Sequence, residues 1–134
     1  MYSIIVERAI SKSFFTVKNT VLDIHKYAKW WKEYKPTINT EGDIIAFSPV
    51  PFFSIELVLI ELKDNSIKFE YRNAPFIGFG TWEILEINQN CTSVSYKIEI
   101  KGKSIFFDKL IRSAFFVKKH QFDIFKLINK LEYL

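Results

Sequence analysis

From residue 37 onward, the pattern of apolar and polar positions is that of β-strands. Turn-forming clusters at residues 41–43, 63–65, 73–75 and 88–90 leave segments of about eight to twelve residues, the spacing of an antiparallel meander. Alternation is clearest in the last segment, whose apolar face consists of Val94, Tyr96, Ile98 and Ile100. We therefore predict about six antiparallel strands in this stretch.

The segment before these strands has a different pattern. Residues 2–10 are rich in β-branched side chains and predict a first strand. Apolar positions then recur at helical spacing over residues 14–24 and again over residues 27–34. Two short helices are therefore predicted, and Pro36 ends the second.

The last quarter of the chain is predicted to form one long helix. No Gly or Pro follows Gly102, and apolar residues recur every three or four positions, so the helix would have about 28 residues and a length of roughly 42 Å. A broad apolar face needs a matching surface, which a strongly twisted sheet provides. The predicted inward stripe is Phe106, Leu110, Ala114, Val117, Gln121, Ile124, Ile128 and Leu131, flanked by Phe107, Ile111 and Phe125.

This order of elements predicts an α+β protein. A seven-stranded curved antiparallel sheet would grip the long C-terminal helix, with two short helices between strands 1 and 2. The length fits one domain, so we expect a single domain over residues 1–134. Between a curved sheet and a helix laid across it there is room for a cavity.

Aromatic side chains are in excess, with 14 Phe, 6 Tyr and 3 Trp among 134 residues. Each buried ring removes about 150 Å² or more from water, so more rings are present than a small core ordinarily uses. Some could line a cavity or a partner surface, and plain filling of the core is the alternative. The candidates are Trp30, Trp31, Phe47, Phe52, Phe53, Phe69, Tyr71, Phe76, Phe79, Trp82 and Tyr96.

A smaller set is predicted to contact a ligand. Alternation places Phe69 with Tyr71 on one face of their strand, and Tyr96 with Ile98 on one face of theirs. A buried tyrosine hydroxyl needs a partner, which a ligand carbonyl or a water could provide. The predicted cavity lining is Trp30, Phe69, Tyr71, Trp82, Tyr96, Ile98, Phe107 and Ile111.

Two pieces of the sequence resemble the START-like, helix-grip superfamily, which includes polyketide cyclases and dehydrases, lipid-transfer START domains and birch-pollen-allergen-like proteins. The run Val21–Trp31 is similar to the family's helix, acidic turn and second short helix that ends in a tryptophan. The run Gly78-Phe79-Gly80-Thr81-Trp82, followed by residues 92–96, looks like the family's Gly-x-Gly-x-Trp strand and the next strand of its hairpin. The turn at residues 88–91 lacks the family's usual glycine.

The resemblance covers essentially the whole chain in element order. It implies a seven-stranded sheet wrapped around the C-terminal helix, with a hydrophobic cavity between them. It does not imply one activity, because this fold hosts carriers, cyclases, hydrolases and chaperone regulators. In cyclase-like relatives an arginine and tyrosines polarise substrate carbonyls, but alternation points Arg72 away from the face of Phe69 and Tyr71.

The residues that could carry chemistry form no recognisable catalytic constellation. Asp23 and His25 are two positions apart, so a capping role is favoured over a catalytic pair. His120 follows Lys118 and Lys119 and is predicted to lie on a solvated helix face. Cys91 has no second cysteine, and the histidines lack companions at ligand spacing. We expect no metal, no cofactor and, without a signal peptide, a cytoplasmic location.

The net charge of +4 comes from the second half of the chain, where residues 68–134 carry eleven basic and seven acidic side chains. Residues 97–119 are the most basic part. We interpret them as an ordinary solvated surface and expect no nucleic-acid partner. Attraction to an acidic membrane surface or to RNA, with Phe115 and Phe116 as anchors, is the alternative. The longest uncharged stretch, residues 44–55, is too short to span a membrane.

These observations favour a non-enzymatic protein that binds or transports a small hydrophobic ligand of the lipid, isoprenoid or polyketide class. A cyclase or dehydrase that acts through tyrosine or arginine is the enzymatic alternative. A module that docks on a protein or a ribosome is the third possibility. The three differ in what they require: an apolar void, polar groups that converge inside it, or a solid core with an exposed aromatic patch.

Overall fold

A computed structural model describes residues 1–50 and 53–134, without the side chains of Val50 and Phe53. Among the predicted aromatic candidates, Phe52 lies outside the described residues, and so does the side chain of Phe53. Within the described part, all seven predicted strands and both groups of predicted helices are present.

Seven strands form one curved sheet, and the predicted α+β class is confirmed. The strands are β1 (Tyr2–Ile10), β2 (Thr37–Ile38), β3 (Ile44–Val50), β4 (Phe53–Leu62), β5 (Ser66–Arg72), β6 (Phe76–Asn88) and β7 (Cys91–Gly102). Their order in the sheet is β1-β7-β6-β5-β4-β3-β2, with every pair antiparallel. Strands β2 to β7 therefore form the predicted meander, and β1 closes the sheet beside β7.

Short helices connect β1 to β2, as predicted. Helix α1 (Phe14–Val21) begins at Ser13, whose hydroxyl accepts a hydrogen bond from a backbone amide of the first turn. Helix α2 (Tyr27–Trp30) lies between two 3-10 turns, Ile24–Lys26 and Lys32–Tyr34. Among residues 1–50 and 53–134, none of the helices has the length and apolar character that a bilayer span requires.

The predicted C-terminal helix is interrupted once. Helix α3 (Ile105–Ile111) is separated from the long helix α4 (Ala114–Lys130) by Arg112 and Ser113, and a 3-10 turn (Leu131–Tyr133) follows. The Ser113 hydroxyl donates to the Leu110 carbonyl at 2.6 Å and accepts from the Phe116 amide at 3.2 Å. One serine thus ends α3 and begins α4. Its hydroxyl takes the place of backbone groups in hydrogen bonds of the helix, and the periodicity of apolar residues does not reveal this.

This interruption decides which side chains face the sheet. The predicted stripe is correct for Ile124, Ile128 and Leu131, which are buried. It is wrong for Phe106, which is 70% exposed, and also for Ala114 and Gln121, whereas Leu110 is 40% exposed but borders the space between the helix and the sheet. The helical phase starts anew at Ser113, so α3 instead buries Ile111 on its inner side.

An aromatic cluster fills the space between the sheet and α2. The ring of Trp82, which is fully buried, lies 4.9 Å from that of Trp30. Tyr27 packs against Trp30 at 5.1 Å and against Phe69 at 6.0 Å. The Trp30 indole also donates to the Leu127 carbonyl at 2.8 Å and ties α2 to α4. This part of the interior is packed with side chains.

Candidate functional site

The other part of the interior holds a cavity of about 420 Å³ between the sheet and the α3–α4 segment. This volume lies within the range of about 300–1,000 Å³ that small-molecule sites have. Its polar or charged lining residues are Tyr34, Tyr71, Tyr96, Lys119, His120 and Asp123. The others are Trp31, Phe47, Pro49, Ile55, Leu57, Pro75, Phe76, Phe107, Leu110, Ile111, Phe115, Phe116, Ile124 and Leu127.

Two tyrosines of the cavity lining meet through their hydroxyls. Tyr71 on β5 and Tyr96 on β7 share a hydrogen bond of 2.7 Å, although β6 lies between their strands. Gly80 on β6 allows this contact: a Cβ there would lie 2.6 Å from Tyr96 Cζ and 3.0 Å from the Tyr71 hydroxyl. The second glycine of the Gly-x-Gly-x-Trp run therefore provides the space that the tyrosine pair occupies.

The tyrosine pair is a hydrogen-bond donor at neutral pH. Burial raises the pKa of Tyr71 and that of Tyr96 well above the ordinary value of a tyrosine. One hydroxyl donates to the other, so the second hydroxyl keeps a proton that it can donate to a bound molecule. The pair can therefore hold an oxygen acceptor of a ligand within an apolar wall.

The charged part of the lining comes from α4. Lys119 Nζ lies 2.7 Å from Asp123 Oδ2. Burial and then the nearby Asp123 carboxylate raise the pKa of Tyr34 to about 12. In the part of the chain that the structure describes, no three or more His, Cys, Asp or Glu side chains come together as metal ligands would.

His120 lines the cavity, and the predicted solvated position is wrong. Its ring stacks on Phe116 at 5.6 Å, and its Nε2 is buried without a partner among the described residues. His120 lies three positions after Val117 and four before Ile124, on the inner face of α4. The helical period contained this signal, but the preceding Lys118 and Lys119 suggested a solvated face.

We expect His120 to make the protein less stable in acid. Burial, assisted by Lys119 and opposed by Asp123, lowers the pKa of His120 to about 4, whereas an unfolded chain has the ordinary value of about 6.5. The native state therefore binds fewer protons than the unfolded state between these values, and stability falls as pH drops from 6.5 towards 4.

Urea unfolding of His120→Leu at pH 7 and at pH 4.5 measures this contribution. Between the two pH values, the free energy of unfolding should fall by about 2 kcal/mol less in the variant than in the wild type. This figure takes into account that the ring is partly exposed. If the free energy of unfolding fell equally in wild type and in His120→Leu, the acid sensitivity could not be ascribed to His120.

The structure divides the eight predicted lining residues into two groups. Tyr71, Tyr96, Phe107 and Ile111 line the cavity, and their contact with a ligand stays a prediction. The other four are buried in the packed part and do not line it: Trp30, Phe69, Trp82 and Ile98. Alternation identifies the inner face of a strand but does not tell which part of that face borders a void.

Other side chains of the cavity come from the wider aromatic set or from outside it. Trp31, Phe47 and Phe76 were candidates on the strength of residue type alone. Tyr34 and Phe116 also line the cavity and carried no clear signal in the sequence.

Two interpretations of polar residues outside the cavity are confirmed. Arg72 is exposed and donates to Glu70 at 3.2 Å, away from the cavity. The Asp23 carboxylate accepts from the His25 amide at 3.0 Å, which is the capping role rather than a catalytic pair.

No protein-family model matches the sequence, and no curated protein matches it. Solved structures do. An uncharacterised protein from Bacillus thuringiensis superposes with a TM-score of 0.74 at 14% identity, over 99% of this chain and 100% of that one. A START superfamily protein from Mycobacterium smegmatis gives 0.61 at 12% identity, over 95% and 99%. This chain has the START-like, helix-grip fold.

The helix-grip fold is also that of an enzyme. Norcoclaurine synthase from Thalictrum flavum, solved in complex with dopamine and hydroxybenzaldehyde, superposes with a TM-score of 0.68 at 14% identity, over 96% of this chain and 87% of that one. At such identities the likeness concerns the fold alone.

Proposed function

We propose that this protein binds or carries a small hydrophobic ligand in the cavity beneath α3 and α4. The observation that carries the proposal is the cavity itself, about 420 Å³ walled mainly by apolar side chains. Water finds few hydrogen-bond partners in such a space. An apolar molecule removes its own surface and that of the wall from water, which is worth roughly 25 cal/mol per Å².

The polar groups in the wall point to an amphipathic ligand of the lipid, isoprenoid or polyketide class. The Tyr71–Tyr96 pair offers one hydroxyl donor within the apolar lining. A ligand that carries a carbonyl or hydroxyl oxygen would satisfy this donor, and its hydrocarbon part would occupy the rest of the space. The hydroxyls would thus fix the orientation of the ligand, while burial would supply most of the affinity.

A cyclase or dehydrase activity has less support from the arrangement of the polar groups. Arg72 lies outside the cavity, and the Lys119 amine is paired with Asp123. The pKa of Tyr71 and that of Tyr96 lie far above neutral pH, whereas an efficient general acid or base has a pKa near the working pH. These groups are suited to hold an oxygen atom rather than to transfer protons.

Ile111→Trp tests the proposal because it fills the cavity from the α3 side. Ile111 is 1% exposed and lines the cavity, so the larger ring would occupy space that a ligand needs. We expect its affinity for N-phenylnaphthylamine, a neutral apolar fluorescent probe, to fall about tenfold or more. Titration of the probe, with circular dichroism to verify folding, measures the effect.

Ile60→Trp is the matched control, because Ile60 is 44% exposed on β4 and does not line the cavity. It should bind the probe as the wild type does. If the wild type binds no probe, and native mass spectrometry finds no co-purified small molecule, the binding proposal is lost. Equal affinities in folded Ile111→Trp and wild type would place the binding site elsewhere.

A further inference from the structure

An exposed apolar patch lies at the mouth of the cavity. Ile105, Phe106 and Leu110 on α3 are 79%, 70% and 40% exposed, and Phe115 at the start of α4 is 77% exposed. Leu110 and Phe115 also line the cavity, so the patch and the interior are continuous. These four residues are called the mouth patch below. Large side chains this exposed and this close together mark an interaction surface more often than ordinary solvated surface.

The mouth patch lies in the most basic part of the chain. Residues 101–119 contain six basic residues and one acidic residue, whereas the rest of the chain contains 13 basic and 14 acidic residues. The single acidic residue, Asp108, is already paired with Arg112 at 3.2 Å. Lys103, Lys109 and Lys118 are exposed and make no ion pair with any described residue. Residues 101–119 therefore carry a net charge of +5, whereas the rest of the chain carries −1.

We propose that the mouth patch docks on the surface of an anionic lipid bilayer. Exposed lysines attract anionic headgroups, and apolar side chains between them insert at the boundary of headgroups and acyl chains. All four residues gain from contact with hydrocarbon, whereas only Phe106 and Phe115 have a ring on which a nucleotide base could stack and Ile105 and Leu110 have none. Docking in this orientation places the mouth of the cavity against the lipid, where an apolar ligand can enter or leave without crossing water.

Vesicle flotation tests the docking. The wild type should float with phosphatidylcholine vesicles that contain about 30% phosphatidylserine, and binding to pure phosphatidylcholine should be at least about fivefold weaker. Binding should also weaken as salt is raised. The double variant Ile105→Ser, Phe106→Ser should reduce binding to anionic vesicles about fivefold or more. Phe15→Ser, which changes a phenylalanine 71% exposed on α1, should leave it unchanged.

Charge variants test the electrostatic part. The pair Lys109→Glu, Lys118→Glu should lower binding to anionic vesicles about tenfold. The pair Lys26→Glu, Lys29→Glu, which changes exposed lysines near α2, should have little effect beyond the change in net charge. Equal losses in both pairs would overturn the localised patch, because only net charge would then matter.

Two further results separate this proposal from others. Ile105 and Phe106 do not line the cavity, so their variants should still bind the apolar probe in solution. If these variants lose flotation but still bind the probe, the effect concerns docking alone. If the wild type docks on vesicles but binds no probe, only the proposed ligand binding is overturned. If the wild type did not float with anionic vesicles, the docking proposal would be overturned. It would also be overturned if the variants of the mouth patch weakened binding of single-stranded RNA more than they weakened flotation.

Discussion

Gly80→Ala should destabilise the protein by about 3 kcal/mol, because the added methyl group enters space that the tyrosine pair already occupies. A Cβ at residue 80 would overlap the Tyr96 hydroxyl and lie 2.6 Å from Tyr96 Cζ. Tyr96 is 3% exposed, and its ring packs on Trp82 at 4.5 Å, so it can yield to the methyl group only by giving up this packing and shifting towards the cavity. Denaturant unfolding measures the loss, and the hydrogen bond to Tyr71 should be broken in the variant.

A double-mutant cycle with Tyr96→Leu tests the cause. The leucine lacks the distal ring atoms that the new methyl group would meet first, so Gly80→Ala should cost much less in that background, where only the Tyr71 hydroxyl at 3.0 Å remains close. Alanine is favoured over glycine within a strand by roughly 0.5–1 kcal/mol when nothing obstructs it. An equal cost in both backgrounds would show that Gly80 is needed for another reason than the tyrosine pair.

Trp82→Ala should be the most damaging single substitution in the packed part of the interior, with a loss of about 4 kcal/mol. Trp82 is fully buried between Trp30, at 4.9 Å, and Tyr96, at 4.5 Å. Removal of the ring leaves a void that rigid aromatic neighbours on both sides cannot close. Urea unfolding at neutral pH measures the change in the free energy of unfolding.

Two variants define what Trp82 contributes. Its Nε1 has no hydrogen-bond partner among the described residues, so Trp82→Phe loses no hydrogen bond and should be clearly less damaging than Trp82→Ala. Phe15→Ala removes an aromatic ring that is 71% exposed and should change stability by no more than about 0.5 kcal/mol. If Trp82→Ala were as mild as Phe15→Ala, the aromatic cluster would not be the stabilising centre of the fold.

The sheet could be predicted from local patterns because each strand carries its own signal. In β7 the inward residues Val94, Tyr96, Ile98 and Ile100 are all buried, as alternation requires. Turn-forming residues between the strands set the meander, which needs no long-range information beyond the pairing of neighbours. The C-terminal segment was harder, because the effect of Ser113 depends on whether its side chain bonds to the backbone or to water.

The site could be predicted only in part. Residue type and strand face led to Tyr71 and Tyr96, but the same reasoning applies equally to Phe69 and Trp82, which are in the packed part. For His120 the two signals in the sequence disagree, because the preceding lysines indicate a solvated face whereas the helical period indicates the inner face. It lies on the inner face of α4, three positions after Val117 and four before Ile124.

The sequence by itself determines the class of the fold, the order of its elements and an interior rich in aromatic rings. Each of these follows from local periodicity, turn chemistry and composition, which act over a few residues. Only the tertiary structure decides where rings fill the interior and where they enclose a space of about 420 Å³. That choice depends on volumes contributed by residues far apart in the chain. Gly80 leaves room for the tyrosine pair, Trp30 and Trp82 fill the part next to α2, and α3 and α4 cover the remaining space.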